Sequence, residues 1–188
     1  AHALNTLAMK ANHGFPCPNA KKHTKFLDRP ESLPQYKGSH FLYMNLHEYQ
    51  AKELMTRHGV QVPPGHPATS IDEAKTAIQQ LFNAGHKRVV VKSQIHAGGR
   101  GKGTFKDGFQ GGVHLADSVE DATAKAEAML GNILVTKQTG DEGKLVNRLL
   151  VTSAQEIKNE YYVAVLLDRA QGRPIIMASA EGGMNIEE

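Results

Sequence analysis

The sequence predicts an α+β fold: a layered unit of helices flanking a mixed, largely antiparallel sheet. Three observations carry that prediction. A β-branched run, Val89-Val90-Val91, ends on Lys92 and enters a glycine-rich stretch, the pattern of a buried strand feeding a loop. Ser70 with Glu73, and Asp117-Ser118, stand ahead of segments with apolar residues at helical spacing, which marks two capped helices. Late in the chain, four short apolar runs follow one another with only Gly-, Asp- and Lys-rich turns between them, as in an antiparallel sheet. At 188 residues, with 40% apolar and 22% charged side chains, the chain has material for one sizeable globular domain plus a tail. No apolar run approaches the ~18–20 residues of a membrane-spanning helix.

Taken in order, residues 1–43 form a leader with no sustained periodicity. It holds four of the eight prolines (Pro16, Pro18, Pro30, Pro34). We expect irregular, extended chain that becomes ordered only against a partner surface. Its six Lys/Arg face only Asp28 and Glu31, giving +4, so the other 145 residues carry −1 of the total +3. The basic character thus belongs to the leader and argues against a nucleic-acid surface on the body. A basic start with no acid before Asp28 has the flavour of an organelle-targeting region, and a chain opening on Ala reads as already processed. Cys17 is the sole cysteine, so no internal disulfide forms; beside Pro18 it reads as a surface thiol rather than a haem-regulatory motif.

The body begins at Asn45, which with Glu48 resembles a capping box; Leu46, Tyr49, Leu54 and Met55 share a helix face that ends at Gly59. Val60–Val62 reads as a strand and Pro63-Pro64-Gly65 as a turn. A second helix starts at Ser70, carries Ala74, Ala77, Ile78 and Leu81, and stops at Asn83-Ala84-Gly85. Strands follow at Arg88–Ser93 and Gly111–Leu115, making residues 94–112 a hairpin-like excursion. A third helix runs from Asp117/Ser118 to Met129 and closes at Gly131. Strands at Ile133–Thr136, Leu149–Ala154, Tyr161–Asp168 and Ile175–Ala180 complete the order α-β-α-β-β-α-β-β-β-β. No helix follows to cover the last strands, so Glu188 reads as a stop in mid-fold.

The chemistry concentrates in 92–103, where Lys92, Arg100 and Lys102 accompany Gly98, Gly99, Gly101 and Gly103. Glycines let backbone N–H groups approach an anion, while Lys and Arg supply charge, so the stretch suits polyphosphate. Lys92 is placed as a point charge and Arg100 as a planar fork. The competing reading is an exposed hairpin with solvated charges. Gly101-Lys102 is followed by Gly103, not Ser or Thr, so this is no P-loop, and no G-x-G-x-x-G supports a Rossmann site. His47, His58, His66, His86, His96 and His114 lack metal-binding spacing and read as surface or hydrogen-bonded. Lys144, Arg148, Lys158 and Arg173 read as solvated charges.

From Met44 onward the sequence resembles the β subunit of succinate–CoA ligase at its N-terminal ATP-grasp region. The matching stretches are Asn45-Leu46-His47-Glu48-Tyr49-Gln50-Ala51-Lys52, Val91-Lys92 through Ala97-Gly98-Gly99-Arg100-Gly101-Lys102, Gly111-Gly112-Val113, Thr136-Lys137-Gln138-Thr139-Gly140, and Glu181-Gly182-Gly183 with Asn185-Ile186-Glu187. Together they span about three quarters of the chain, and the Gly103–Gly112 spacing resembles mitochondrial members. The resemblance implies a partial ATP-grasp domain over 44–188 that binds ATP/ADP, with GTP/GDP possible. A phosphoryl group would pass through a histidine of a partner α subunit to succinate and CoA, in the mitochondrial matrix. It implies that Lys92 contacts phosphate, that Gly99, Arg100 and Gly101 form the loop over it, and that Glu160 contacts the nucleotide. Pro63 stands where some GTP-preferring members carry Gln, which favours adenine.

Departures from the pattern matter too. At Thr152 many members carry a Glu near the base. The family's Mg²⁺-binding Asn and Asp, and its C-terminal domain, align beyond Glu188. We therefore expect no catalytic residue or metal ligand in this chain, and no complete reaction from it alone. Two function classes follow: the nucleotide-binding part of the ligase, or a non-catalytic accessory subunit of a larger mitochondrial assembly built from a shortened relative.

Overall fold

The structure, a computed structural model, describes residues 7–9 and 45–180. They fall into two compact units, one within 45–156 and one comprising 7–9 with 157–180. Of the leader, only Leu7–Met9 is described, as strand β1; the remainder and the motif at 181–187 lie outside the described residues.

The first unit is built on a four-stranded antiparallel sheet. Its strands are β2 (Gly65–Ala68), β3 (Val89–Ser93), β5 (Val113–Ala116) and β8 (Leu149–Ser153), in the order β2-β8-β3-β5. All five residues of β8 are buried, as befits a central strand covered on both faces. Helices α2 (Ile71–Asn83) and α3 (Val119–Met129) pack on each other and on this sheet. Their contact faces are lined by Ala74, Ala77, Ile78 and Leu81 on α2 and by Ala122, Ala126 and Met129 on α3. The helix starts are those predicted. Ser70 Oγ accepts from Glu73 N–H at 3.2 Å, and Ser118 Oγ accepts from Asp121 N–H at 3.1 Å. Each satisfies a donor that the first turn leaves without an intrahelical partner.

Two corrections concern local structure. Val60–Val62 is not a strand; the strand begins at Gly65, inside what reads as a turn. Pro67 is tolerated there because β2 lies at the end of the sheet's strand order, where an absent N–H breaks no ladder. Gly65 is required for the close approach to β8: a Cβ there would lie 2.8 Å from Thr152 Cβ and 2.9 Å from the Val151 carbonyl oxygen. The second correction concerns residues 94–112, which are not a free hairpin. A 3-10 turn, Arg100–Lys102, leads into β4 (Thr104–Phe105). That strand pairs with β6 (Ile133–Val135), which in turn pairs with β7 (Lys144–Leu145), forming a second small sheet. Phe105, 2% exposed, plugs into the core, so the excursion is anchored halfway along.

In the second unit, β9 (Tyr161–Asp168) pairs antiparallel with β10 (Arg173–Ser179) on one side and with β1 on the other. The β9–β10 turn is closed by Asp168 Oδ1, which accepts from the N–H groups of Ala170 and Gln171 at 2.9 and 3.1 Å. The leader thus contains a short strand that finds its hydrogen bonds on β9, a partner surface within the same chain.

Because Phe105 is both the core plug and the anchor of the glycine-rich excursion, Phe105→Ala should cost about 3–5 kcal/mol of stability. Urea denaturation of variant and parent measures it; a loss below about 1 kcal/mol would contradict the anchoring.

Candidate functional site

Strand alternation sets the site. In β3, Val89, Val91 and Ser93 are buried, and Lys92 therefore points to the opposite face. Helix α1 (Glu48–Arg57) meets it there: Lys92 Nζ donates to Glu48 Oε1 at 2.8 Å. Arg100, from the 3-10 turn, donates through Nη2 to Glu48 Oε2 at 3.3 Å and through Nη1 to the Ser93 carbonyl at 2.7 Å. Lys52, one turn along α1, lies 3.3 Å from Glu48 Oε1. Three cations thus share one carboxylate, with side chains only 18–25% exposed.

This assigns Glu48 differently from the sequence reading, which made it the partner of an Asn45 cap. The N-cap is His47, and its N–H donates to Gln50 Oε1 at 2.9 Å; Glu48 is the first helical residue and is free to face the strand. Burial alone would raise the Glu48 pKa, but the charge and hydrogen bond of Lys92, with the charges of Lys52 and Arg100, outweigh it and hold the group at about 2. Glu48 is therefore a carboxylate throughout the neutral range, and a poor proton acceptor.

Next to it the rings of His47 and His96 stack with centroids 3.9 Å apart, and Tyr49 stacks on His47 at 6.0 Å. Arg148 is not a solvated charge. Its Nη1 donates to Tyr49 Oη at 2.5 Å, and its guanidinium carbon sits 5.2 Å from that ring's centroid. Burial first, then the charges of His96, Arg148 and Arg100, lower the His47 pKa to about 4, so the imidazole is neutral near pH 7.

Lys92, Gly99, Arg100 and Gly101, all expected in one site, lie together. Gly99 has φ 72°, a left-handed conformation suited to glycine, and starts the turn that aims Arg100. The Arg100 carbonyl accepts from Gly103 N–H at 3.2 Å and Gly112 N–H at 2.7 Å, tying both ends of the excursion to this residue. Gly98 N–H donates to Gln138 Oε1 at 2.6 Å, joining two of the matching sequence stretches. A Cβ at Gly101 would meet nothing within 4 Å, so the backbone there is open to approach. Ser93 Oγ, on the face of β3 opposite Lys92, and Gln94 Oε1 are buried without a hydrogen-bond partner among the described residues. Thr152, where a carboxylate was of interest, is buried, and its hydroxyl donates to the Pro64 carbonyl at 2.8 Å, a tie between β8 and the chain entering β2. Glu160 stands directly before β9, in the second unit. The sequence reading missed Glu48, His47 and Arg148. For Glu48 the available signal was its i,i+4 spacing to Lys52 at the start of a helix.

An excess of cations around one carboxylate, with glycines at the adjacent turn, is chemistry suited to a multiply charged anion. Glu48 is the cluster's one carboxylate and is held by cations, so it does not fit as a Mg²⁺ ligand, and no group of three or more metal-binding side chains occurs among the described residues.

A family model described as the ATP-grasp domain matches residues 45–188, and the chain belongs to that family. Among its relatives, the β subunit of ADP-forming succinate–CoA ligase from Erythrobacter litoralis is 55% identical over 148 residues, covering 77% of this chain and 36% of that protein. The mitochondrial β subunits of Solanum lycopersicum and Oryza sativa are 51% and 48% identical over 147 and 145 residues, each covering 77% of this chain and 34% of theirs. The chain thus spans about a third of the length of the curated relatives it matches.

Within the cluster, His47 and Glu48 both make the fold acid-sensitive. His47, neutral in the fold, is protonated in the unfolded chain below about 6.5, so its contribution declines as pH falls from there towards 4; that of Glu48 is complete above about 4.5 and is lost towards 2. Urea midpoints should fall between pH 7 and 4.5, and less steeply in His47→Asn. Equal slopes for the two proteins would remove His47 as the cause.

Proposed function

We propose that this chain supplies the nucleotide-binding part of a succinate–CoA ligase β subunit. The observation that carries the reading is the convergence of Lys92 and Arg100 on one carboxylate, at 2.8 and 3.3 Å, beside a glycine turn, in a chain of the ATP-grasp family. In the proposed complex Lys92 and Arg100 meet the phosphates of ADP or ATP, and the backbone at Gly99 and Gly101 lets them come close. Glu160 accepts hydroxyl or amino donors of the nucleotide. The ADP-forming relatives favour adenine over guanine.

The reaction proposed for the whole assembly joins succinate and CoA to succinyl-CoA at the expense of a nucleoside triphosphate. The phosphoryl group travels on a histidine of an α subunit. This chain's residues bind and orient the nucleotide, and catalytic groups are assigned to the partner. Mg²⁺, when bound, neutralises phosphate charge; the cation cluster described here is not its ligand set. The mitochondrial names of the plant relatives support a matrix location. No helix among the described residues is long and apolar enough to cross a membrane. The accessory-subunit reading draws no support from the relatives, whose names are those of ligase subunits.

Calorimetric titration with ADP tests the site. Lys92→Ala should lose roughly 1–3 kcal/mol of binding free energy, the scale of a charge-assisted contact. Equal affinity in variant and parent, or none in either, would remove the assignment.

A further inference from the structure

We infer that Glu48 is a positioning residue for nucleotide binding: its two carboxylate oxygens hold Lys92 and Arg100 side by side at the spacing in which both reach one phosphate group. The inference rests on the nucleotide reading above and adds to it a residue that touches no ligand itself.

The geometry is that of a bridge. Oε1 takes Lys92 and Oε2 takes Arg100, so one planar group sets the separation of two cations that arrive from different elements, a strand end and a turn. Without an anion between them these cations repel, and their long side chains carry rotamer freedom that a ligand would have to freeze. The bridge does not exhaust their donors. An ammonium has three N–H groups and a guanidinium five, of which Glu48 takes one from each and the Ser93 carbonyl one more from Arg100. The remaining donors suffice for phosphate oxygens with Glu48 still in place.

Glu48 is itself well aimed. It opens α1 directly after the His47 cap, where an acid is favoured by the helix dipole, and Lys52 lies against it from the next turn. None of α1's side chains is fully buried, and this bridge is one of the contacts that tie the helix to β3. The carboxylate stays ionised across neutral pH, so the bridge is no pH switch. Protein kinases use the same logic on another fold, where a strand lysine on the phosphates is held by a helix glutamate.

Removing the charge at Glu48 has two opposite effects. It takes a negative group away from the phosphate, which favours binding, and it frees the two cations, which opposes it; the inference is that the second dominates. The test uses the full chain, with ADP as titrant and side-chain ¹⁵N spectra of Lys92 and Arg100 as a second readout. Glu48→Gln is expected to weaken ADP binding about tenfold, with Glu48→Asp in between because it keeps the charge but loses a methylene of reach. In the parent, the Lys92 ammonium and the separate Nη signals of Arg100 should be sharp without nucleotide, and broaden in Glu48→Gln while the fold is retained. Unchanged affinity in Glu48→Gln overturns the inference. So does tighter binding, which would make Glu48 an internal competitor for the phosphate. Should Glu48→Gln not fold, Glu48→Asp carries the same comparison. If the parent binds no ADP, the nucleotide reading falls separately. The ¹⁵N signals then decide the bridge alone: broadening upholds it, and persistence overturns it.

Discussion

A strand sends only every second side chain to any one face, and at β3 that constraint organises the whole first unit. Val89, Val91 and Ser93 face inward, so Lys92 must face outward, where α1 presents Glu48. Slipping the register by one residue would bury the lysine and expose two valines. Such a slip is opposed from both sides, since β3 is paired with β8 through Val91↔Val151 and with β5 through Val91↔His114. The apolar layer on one face and the charged cluster on the other are thus two products of one alternation.

The electrostatics of the cluster follow from how few acids it contains. Lys52, Lys92 and Arg100 share Glu48, and Arg148 adds a further positive charge near His47. Burial first, and then the charges of His96, Arg148 and Arg100, disfavour a protonated imidazole, so His47 is protonated only towards pH 4 and Glu48 only towards 2. Positive charge is kept on side chains that cannot easily discharge it. The stacked imidazoles supply flat packing surface instead. Arg148 is tied to Tyr49 by a hydrogen bond and by its position over the ring.

Local signals in the sequence proved sound where the physics is local. Ser70 and Ser118 cap the helices they were expected to cap, because capping involves residues three apart. The long strands at 89–93, 149–153 and 161–168 were visible in their β-branched and apolar runs. Two-residue strands such as Thr104–Phe105 and Lys144–Leu145 leave no period to read and exist only because β6 offers them a ladder. Lys92 and Arg100 stood out by type and by their glycine neighbours, but their common partner did not. Glu48 is 44 and 52 residues away from them, and its spacing to Asn45 offered a nearer and incorrect explanation. Arg148 was overlooked for the same reason, its partner Tyr49 being 99 residues distant.

The proline within β2 bears on more than this strand's own ladder. Sheet borders invite other chains to add themselves, because their outer amides and carbonyls are unspent. Along Gly65–Ala68 that invitation is curtailed at Pro67, which has no amide hydrogen to offer; the Pro64 carbonyl, which accepts from Ser153 N–H, faces inward to β8 and so sets Gly65 and Pro67 as the outward-facing positions. One proline placed on the outward-facing side of the strand therefore acts as a selvedge, finishing this border of the sheet against unwanted intermolecular pairing.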